Sequence, residues 1–221
     1  MAIDKPPFIS TLDDRNDKLN ILALAKRVIV DAQVCHRLDK ETSGVLLIAK
    51  NPEAYRHGSI QFEKRQVGKV YHAVADGHHS FTNVLVDQPI HKLSTGTVRV
   101  DKLEGKPAQT YFKTLRSFRN HTLLECRPIT GRMHQIRIHL AQLGAPITGD
   151  DTYGGKPFFL SSVKRNYNLK KFSEEQPLMK RMALHAFSLE FSDRMGKLVQ
   201  VEAPYPKDMR VLIRQLEEVS S

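Results

Sequence analysis

The stretch VLLIA at residues 45–49 decides the first element of the fold, because it lies between Gly44 and the pair Asn51-Pro52. A short, continuous apolar run bounded by turn residues is typical of a strand that is buried on both faces. Asn51 is a favoured N-cap residue and Pro52 suits the first helical position. The sequence therefore predicts a buried strand followed directly by a helix that ends at about Lys64.

The rest of the chain contains more strand patterns than helix patterns. Strand character is found in six further segments, 69–75, 97–100, 108–115, 122–127, 183–191 and 198–203, of which the last two form a late hairpin. Helical spacing of apolar residues is found in three, around 19–27, at 134–143 and around 209–216. Because short turns join most strands, we expect the α+β class, with a mixed, largely antiparallel central sheet and flanking helices.

The composition indicates a basic globular protein. The chain has 34 Lys and Arg against 24 Asp and Glu, which gives a net charge of +10. This balance favours a polyanionic partner, most often nucleic acid, although an anionic membrane surface would also suit it. Two cysteines form no disulfide framework, and no apolar run reaches the roughly 18–20 residues that a membrane span needs. We expect a cytoplasmic protein that does not bind a membrane.

One segment, residues 154–180, is polar and interrupts the regular patterns. Its cations and aromatic residues are Lys164, Arg165, Lys170, Lys171, Lys180, Phe158, Phe159, Tyr167 and Phe172. The simpler interpretation is a solvated surface insertion. The functional one is a flap in which aromatic rings stack on RNA bases while cations bind phosphates. No composition shift marks a boundary, so we expect a single domain over residues 1–221.

The segment HRLDKETSG at residues 36–44 is the first candidate for chemistry. It places the carboxylate of Asp39 just before the buried strand, at the rim of a sheet, where sites are often built. The alternative, which this segment alone favours, is that Asp39 only accepts N–H hydrogen bonds from the turn at Thr42-Ser43.

A second candidate is Lys69-x-Tyr71-x-Ala73, in which small neighbours on the same strand face leave room beside the Tyr71 ring. Such a ring could stack on a base. A core tyrosine whose hydroxyl reaches the surface is the more common arrangement.

The third candidate is the segment GRMHQIRIHL at residues 131–140. Arg137 lies close to the apolar face of the predicted helix, and a buried cation requires an anion. That anion is either a phosphate or an internal carboxylate. His134 and His139 lack the i, i+4 spacing of a helical metal pair, so we expect no metal site.

Taken together, these segments resemble the RluA-type pseudouridine synthases. The family pattern H-R-L-D-x-x-T-S-G is matched at residues 36–44, and K-x-Y-x-A at 69–73. The pattern G-R-T-H-Q-I-R-[VI]-H-L is matched at 131–140 apart from Met133, and the following G-D…Y-G at 149–154. The opening Lys5-Pro6-Pro7 looks like the N-K-P-x-G segment of the family, with Phe8 where glycine is usual.

The resemblance implies an enzyme that isomerises uridine to pseudouridine in ribosomal or transfer RNA, without cofactor or metal. It implies a mixed sheet with a central cleft. Many relatives begin with a small RNA-binding module, which we do not expect in this chain, and we expect a monomer without an obligate protein partner. By the match of motifs, Asp39 is the catalytic carboxylate, Tyr71 lies against the target ring, and Arg137 pairs with Asp39. Arg37 is expected to fill the space that the flipped nucleotide leaves.

Further RNA contacts are expected from residues of the same motifs, namely Thr42, Lys69, Arg132, His134 and Gln135. Met133 replaces the usual threonine, a change that we expect to be tolerated. Two other function classes remain open at this point. A non-catalytic RNA-binding or ribosome-assembly factor would explain the charge but not an Asp39–Arg137 pair. A glycosidase needs a second carboxylate opposite the first, for which the motifs offer only Glu41 and Asp150.

Overall fold

The computed structural model describes residues 1–13, 19–164, 167 and 173–220. In chain order its helices and strands are β1 (Ala2–Lys5), α1 (Ile21–Val28), β2 (Gln33–Val34), β3 (Ser43–Ala49), α2 (Pro52–Glu63), β4 (Gly68–Asp76), β5 (Val84–Asp87), β6 (Ile90–Lys92), β7 (Val98–Val100), β8 (Gln109–Ser117), β9 (His121–Pro128), α3 (Gln135–Gln142), β10 (Leu184–Ser192), β11 (Leu198–Glu202) and α4 (Lys207–Glu218). The chain forms two compact units. The first contains Met1–Tyr71 and Leu184–Tyr205, and the second His72–Ala183 and Pro206–Ser221.

Strand β3 is the centre of the first unit. It pairs antiparallel with β1 and β2 and parallel with β10, which in turn pairs antiparallel with β11. All seven residues of β3 are buried. Val45 and Leu47 join an apolar cluster on one face, while Leu46 and Ile48 join a different cluster on the other. Burial on both faces explains why the run at 45–49 is apolar throughout instead of alternating.

The predicted start of α2 is confirmed. The side chain of Asn51 accepts a hydrogen bond of 2.9 Å from the amide of Ala54, and Pro52 is the first helical residue. The side-chain acceptor satisfies one of the N–H groups that have no partner within the first helical turn.

Gly44 allows β3 and β10 to approach each other closely. Its φ of +114° lies in a region that L-residues other than glycine rarely adopt, and it is paired with Ala186 in β10. A Cβ atom added at Gly44 would lie 2.1 Å from the carbonyl oxygen of Ala186. Only glycine therefore fits this position, which follows directly on the turn after Asp39.

The second unit contains the end of β4 and a sheet in which β4, β9, β8 and β5 are neighbours in that order. Strand β8 pairs antiparallel with both β5 and β9, while β6 and β7 form a separate antiparallel hairpin. Helix α3 contributes Ile138 to an apolar cluster with residues of this hairpin.

The expected α+β class with a largely antiparallel sheet is confirmed, and so are the helix and strand patterns described above, with bounds that differ by a few residues. Strands β1, β2, β5 and β6 were not predicted. None of the helices in the described part of the chain is long and apolar enough to cross a membrane.

Part of the segment 154–180 belongs to the core of the second unit. Phe158 is 3% exposed and packs edge-on against His121 at 5.3 Å between ring centres, and Met179 is also buried. Phe158 is therefore not available to stack on RNA in this structure. Arg165, Lys170, Lys171 and Phe172, on which the flap interpretation also depends, lie outside the described residues.

Candidate active site

Asp39 occupies a turn that the main chain closes. The amide of Thr42 donates a hydrogen bond of 3.0 Å to the carbonyl oxygen of Asp39, and the next residues enter β3. Leu38, on the other side, is buried in the apolar cluster of α1 and β3. A main-chain hydrogen bond thus supports this turn independently of the Asp39 carboxylate.

The residue after Asp39 is held by a buried lysine. Lys5 is 0% exposed, and its ammonium group donates to the carbonyl oxygens of Pro6 at 2.9 Å, Ile9 at 2.8 Å and Lys40 at 3.2 Å. A buried cation is stable only when such acceptors replace its water. The Lys5 ammonium therefore ties the N-terminal loop to the turn that carries Asp39.

The residue before Asp39 is held by a hydroxyl. Thr11 Oγ1 donates to the carbonyl oxygen of Leu38 at 2.8 Å and accepts from the amide of Leu38 at 3.1 Å. The backbone is consequently fixed on both sides of Asp39.

Tyr71, in the first-unit part of β4, lies within electrostatic reach of Asp39. It packs against the cluster that contains Leu38. Burial and, second, the negative charge of Asp39 raise the pKa of Tyr71 well above its usual value. The phenol therefore stays protonated at neutral pH, and it offers an aromatic ring and an O–H donor, not a base.

His36 begins the same motif but supports the fold. Its Nε2 accepts a hydrogen bond of 3.0 Å from the amide of Leu47, and its ring stacks on Phe62 at 4.6 Å between centres. Burial and the charge of Lys69 lower the pKa of His36 to about 3. The ring is thus neutral at physiological pH and links the motif to β3.

Lys69, on β4, lies close enough to this motif for its charge to act on His36. Burial and the neighbouring charge of Arg65 lower the pKa of Lys69 to about 8. Arg37 and Lys40, on either side of Asp39 in the sequence, are exposed to solvent. The motif that contains Asp39 thus carries two exposed cations, and the charge of a third, Lys69, acts on its first residue.

In the second unit, Arg137 makes a buried, bidentate ion pair with Asp150. Arg137 Nε and Nη2 each lie 2.7 Å from a different carboxylate oxygen, and the Asp150 side chain is 1% exposed. The guanidinium also lies over the ring of Tyr153, 4.9 Å from its centre. This bidentate contact fixes the plane of the guanidinium, as such pairs do.

Tyr153 is itself held in place. Its hydroxyl accepts from the amide of Val98 at 3.1 Å and forms a second hydrogen bond of 2.9 Å with Nδ1 of His134. His134 precedes α3 with a φ of +51°, which turns the chain sharply into the helix. The predicted RNA contact at His134 therefore has a structural partner, and its contact with RNA stays a prediction.

The sequence predicts that Arg137 needs an anionic partner, and the structure shows that one such partner is the carboxylate of Asp150. The sequence places Asp150 in the G-D…Y-G motif, but nothing in its spacing points to Arg137. The predicted Arg137–Asp39 pair joins residues of different units and stays a prediction.

Gln135, also a predicted RNA contact, forms hydrogen bonds within the protein, and its contact with RNA stays a prediction. Gln135 is 4% exposed, and its Oε1 accepts from Thr130 Oγ1 at 2.7 Å and from the amide of Arg132 at 3.0 Å. Its Nε2 donates to Gln109 O at 2.9 Å and Thr110 Oγ1 at 3.0 Å. With both ends of the amide bonded inside the protein, Gln135 holds the start of α3 on β8.

Other motif residues also have structural roles. Thr42 is buried, so its side chain is a poor candidate for the predicted RNA contact. Arg132 Nε donates to the carbonyl oxygen of Pro107 at 3.1 Å. Met133 packs against the apolar cluster that contains Ile138, which explains how methionine is accommodated here. Among the described residues, no three His, Cys, Asp or Glu side chains are grouped so that they could hold a metal ion.

Comparison with known proteins gives a consistent result. Residues 1–142 match the RNA pseudouridylate synthase family. The chain is 36% identical over 188 residues to the ribosomal large subunit pseudouridine synthase D of Haemophilus influenzae. The aligned region covers 84% of this chain and 56% of that protein. It is 34% identical to an uncharacterized RNA pseudouridine synthase of Zymomonas mobilis, with 94% of this chain and 90% of the relative covered. The chain thus spans just over half the length of the Haemophilus relative.

Solved structures share the fold. Human RNA pseudouridylate synthase domain containing 4 is 25% identical with a TM-score of 0.73, covering 98% of this chain and 89% of the human one. Human RNA pseudouridylate synthase domain containing 1 is 27% identical with a TM-score of 0.69, covering 93% and 79%. By motif, by sequence and by fold, this chain belongs to the RNA pseudouridylate synthase family.

Proposed function

We propose that the protein isomerises a uridine in structured RNA, ribosomal or transfer, to pseudouridine, with Asp39 as the catalytic carboxylate. The observation that carries the proposal is that Tyr71 lies within electrostatic reach of Asp39 in the first unit, where Lys5 and Thr11 fix the backbone on both sides of Asp39. The net charge of +10 suits a polyanionic substrate.

The reaction needs no co-reactant. The bond from N1 of uracil to C1′ of ribose breaks, the base turns, C5 bonds to C1′, the C5 proton leaves, and N1 takes up a proton. An ionised Asp39 starts this by attack on C1′ or by removal of a ribose proton, and both routes remain open. Extruding the uridine from its stack costs a few kcal/mol, which ring contact with Tyr71 offsets in part.

Arg137 is proposed to stabilise the ionised form of Asp39, as the family resemblance implies. A guanidinium close to a carboxylate favours its charged state. The contacts from Asp150 and Tyr153 would then hold the guanidinium in one orientation, which a reaction that depends on alignment requires.

Release of tritium from RNA labelled at C5 of uridine tests the proposal. The purified chain should release tritium from ribosomal or transfer RNA transcripts at a rate proportional to its concentration. A non-catalytic RNA-binding factor would retain the RNA on a filter but release no tritium. Absence of release from both RNA classes, with binding intact, would refute the enzyme assignment.

Tyr71→Phe should lower kcat by about 100-fold while KM for RNA stays within a few-fold. The variant keeps the ring that contacts the base and removes only the protonated hydroxyl near Asp39. Tyr55→Phe, at a tyrosine on α2 that is 40% exposed, is the matched control and should behave as wild type. A rise in KM with unchanged kcat would show that the hydroxyl serves binding instead.

The lowered pKa of Lys69 predicts an alkaline limb in the pH profile. If the ammonium binds an RNA phosphate, kcat/KM should fall about tenfold per pH unit above pH 8, because the charge is lost as pH rises through its pKa of about 8. Lys69→Arg keeps its charge over this range and should lack the limb. The same decline in both proteins would assign the limb to another group.

A further inference from the structure

Phe8 adopts a backbone conformation that is unfavourable for a bulky residue. Its φ is +69°, in the left-handed region where the Cβ of an L-residue approaches the carbonyl oxygen. In the opening motif of the family this position is usually glycine, which takes such a φ without strain. This chain therefore keeps a phenylalanine where the backbone favours glycine.

The fold gains little from the Phe8 side chain. The residue is 49% exposed, so its ring is not a core residue that burial would stabilise. The main-chain hydrogen bond of 2.8 Å from its amide to the carbonyl oxygen of Lys40 would form equally well with glycine. A strained residue whose side chain does not serve the core is a reason to look for a function of that side chain.

The position of Phe8 indicates that function. Its hydrogen-bond partner Lys40 directly follows Asp39, and the next residue, Ile9, packs into the cluster that also contains Tyr71. Arg37 and Lys40 are both exposed on the loop that contains Asp39. The main chain of Phe8 is therefore hydrogen-bonded to the residue that follows the proposed catalytic Asp39, in a loop with two exposed cations, and the Phe8 ring is half exposed.

We propose that the ring of Phe8 is a stacking platform for a nucleobase that flanks the isomerised uridine. Aromatic side chains stack on any base face, and neighbouring cations bind the phosphates, which is the usual arrangement of single-strand recognition. This inference rests on the proposed function for its substrate, an RNA with an accessible base beside the target.

Two substitutions separate stacking from a structural role. Phe8→Gly relieves the strained φ, so the urea midpoint of unfolding should stay the same or rise, yet KM for RNA should rise about 5- to 100-fold with kcat nearly unchanged. Phe8→Leu keeps an apolar side chain and the strain but has no ring, and should raise KM as Phe8→Gly does. Wild-type KM in both variants would overturn the proposal.

A fluorescent variant measures the contact directly. The chain has no tryptophan, so Phe8→Trp introduces a single reporter at this position. RNA should quench its emission saturably, with KM close to wild type. Met195→Trp, at an exposed turn residue in the same unit, is the matched control and should not respond. Equal responses of the two reporters would overturn stacking at Phe8.

The fluorescence measurement is independent of the catalytic assay. Tritium release by the wild-type protein decides the proposed function. Quenching of the Phe8→Trp emission by RNA decides the stacking platform, whatever the outcome of that assay. An active wild-type enzyme whose Phe8→Trp emission ignores RNA would refute the platform alone.

Discussion

Replacing Asp39 with asparagine should reduce pseudouridine formation by more than about 1000-fold, because the amide can neither attack ribose nor remove a proton. Binding of RNA should stay within a few-fold of wild type. The substitution is nearly isosteric, and the turn is closed by the main chain and by Lys5 and Thr11, so the fold should be retained. Single-turnover tritium release and filter binding measure the two effects separately.

Glu41→Gln is the matched control for Asp39→Asn. It removes the same charge from the same loop, at an exposed side chain that we assign no part in the reaction. Its activity should equal that of wild type. If both variants lose activity equally, the effect comes from the charge of the loop, and if neither does, Asp39 is not the catalytic carboxylate.

Arg137→Met should abolish activity and also destabilise the protein by about 3–5 kcal/mol. The stability loss arises because the Asp150 carboxylate, buried as deeply as it is, loses the guanidinium that makes two hydrogen bonds of 2.7 Å with it. The activity loss arises because the proposed partner of Asp39 is gone. Urea unfolding and tritium release report these two losses.

A double variant separates the two roles of Arg137. Arg137→Met combined with Asp150→Leu replaces the buried pair by two apolar side chains, an exchange that often restores stability. We expect unfolding close to wild type and activity as low as in Arg137→Met alone. Recovery of activity together with stability would show that Arg137 supports only the fold.

The elements that the sequence predicted are those whose cause is local. The run at 45–49 is buried on both faces, and the N-cap at Asn51 depends on a residue three positions away. Such features can be read from neighbouring residues alone. The same holds for the apolar spacing of α3.

The features that were missed depend on distant residues. Strand β1 has a mixed composition and exists because it pairs with β3, roughly forty residues further along the chain. The hydrogen bonds that the Gln135 amide makes with β8 and with the preceding loop likewise depend on the folded structure.

The candidate site was predicted in part. A cation beside an apolar helix face required an anion, and the structure supplies Asp150. The choice of that carboxylate could not be made from sequence, because the turn after Gly149 brings it to Arg137 only in three dimensions. The strain at Phe8 also could not be predicted from the sequence, since a φ angle is a property of the folded backbone.

The ammonium of Lys5 has a consequence for local opening of the molecule. One group holds carbonyls of both the N-terminal loop and the residue after Asp39, so neither segment can detach without leaving a dehydrated cation behind. The two segments should consequently open as one cooperative piece, with matching amide-exchange rates. The loop that contains Phe8 and the turn that contains Asp39 would therefore keep or lose their structure together.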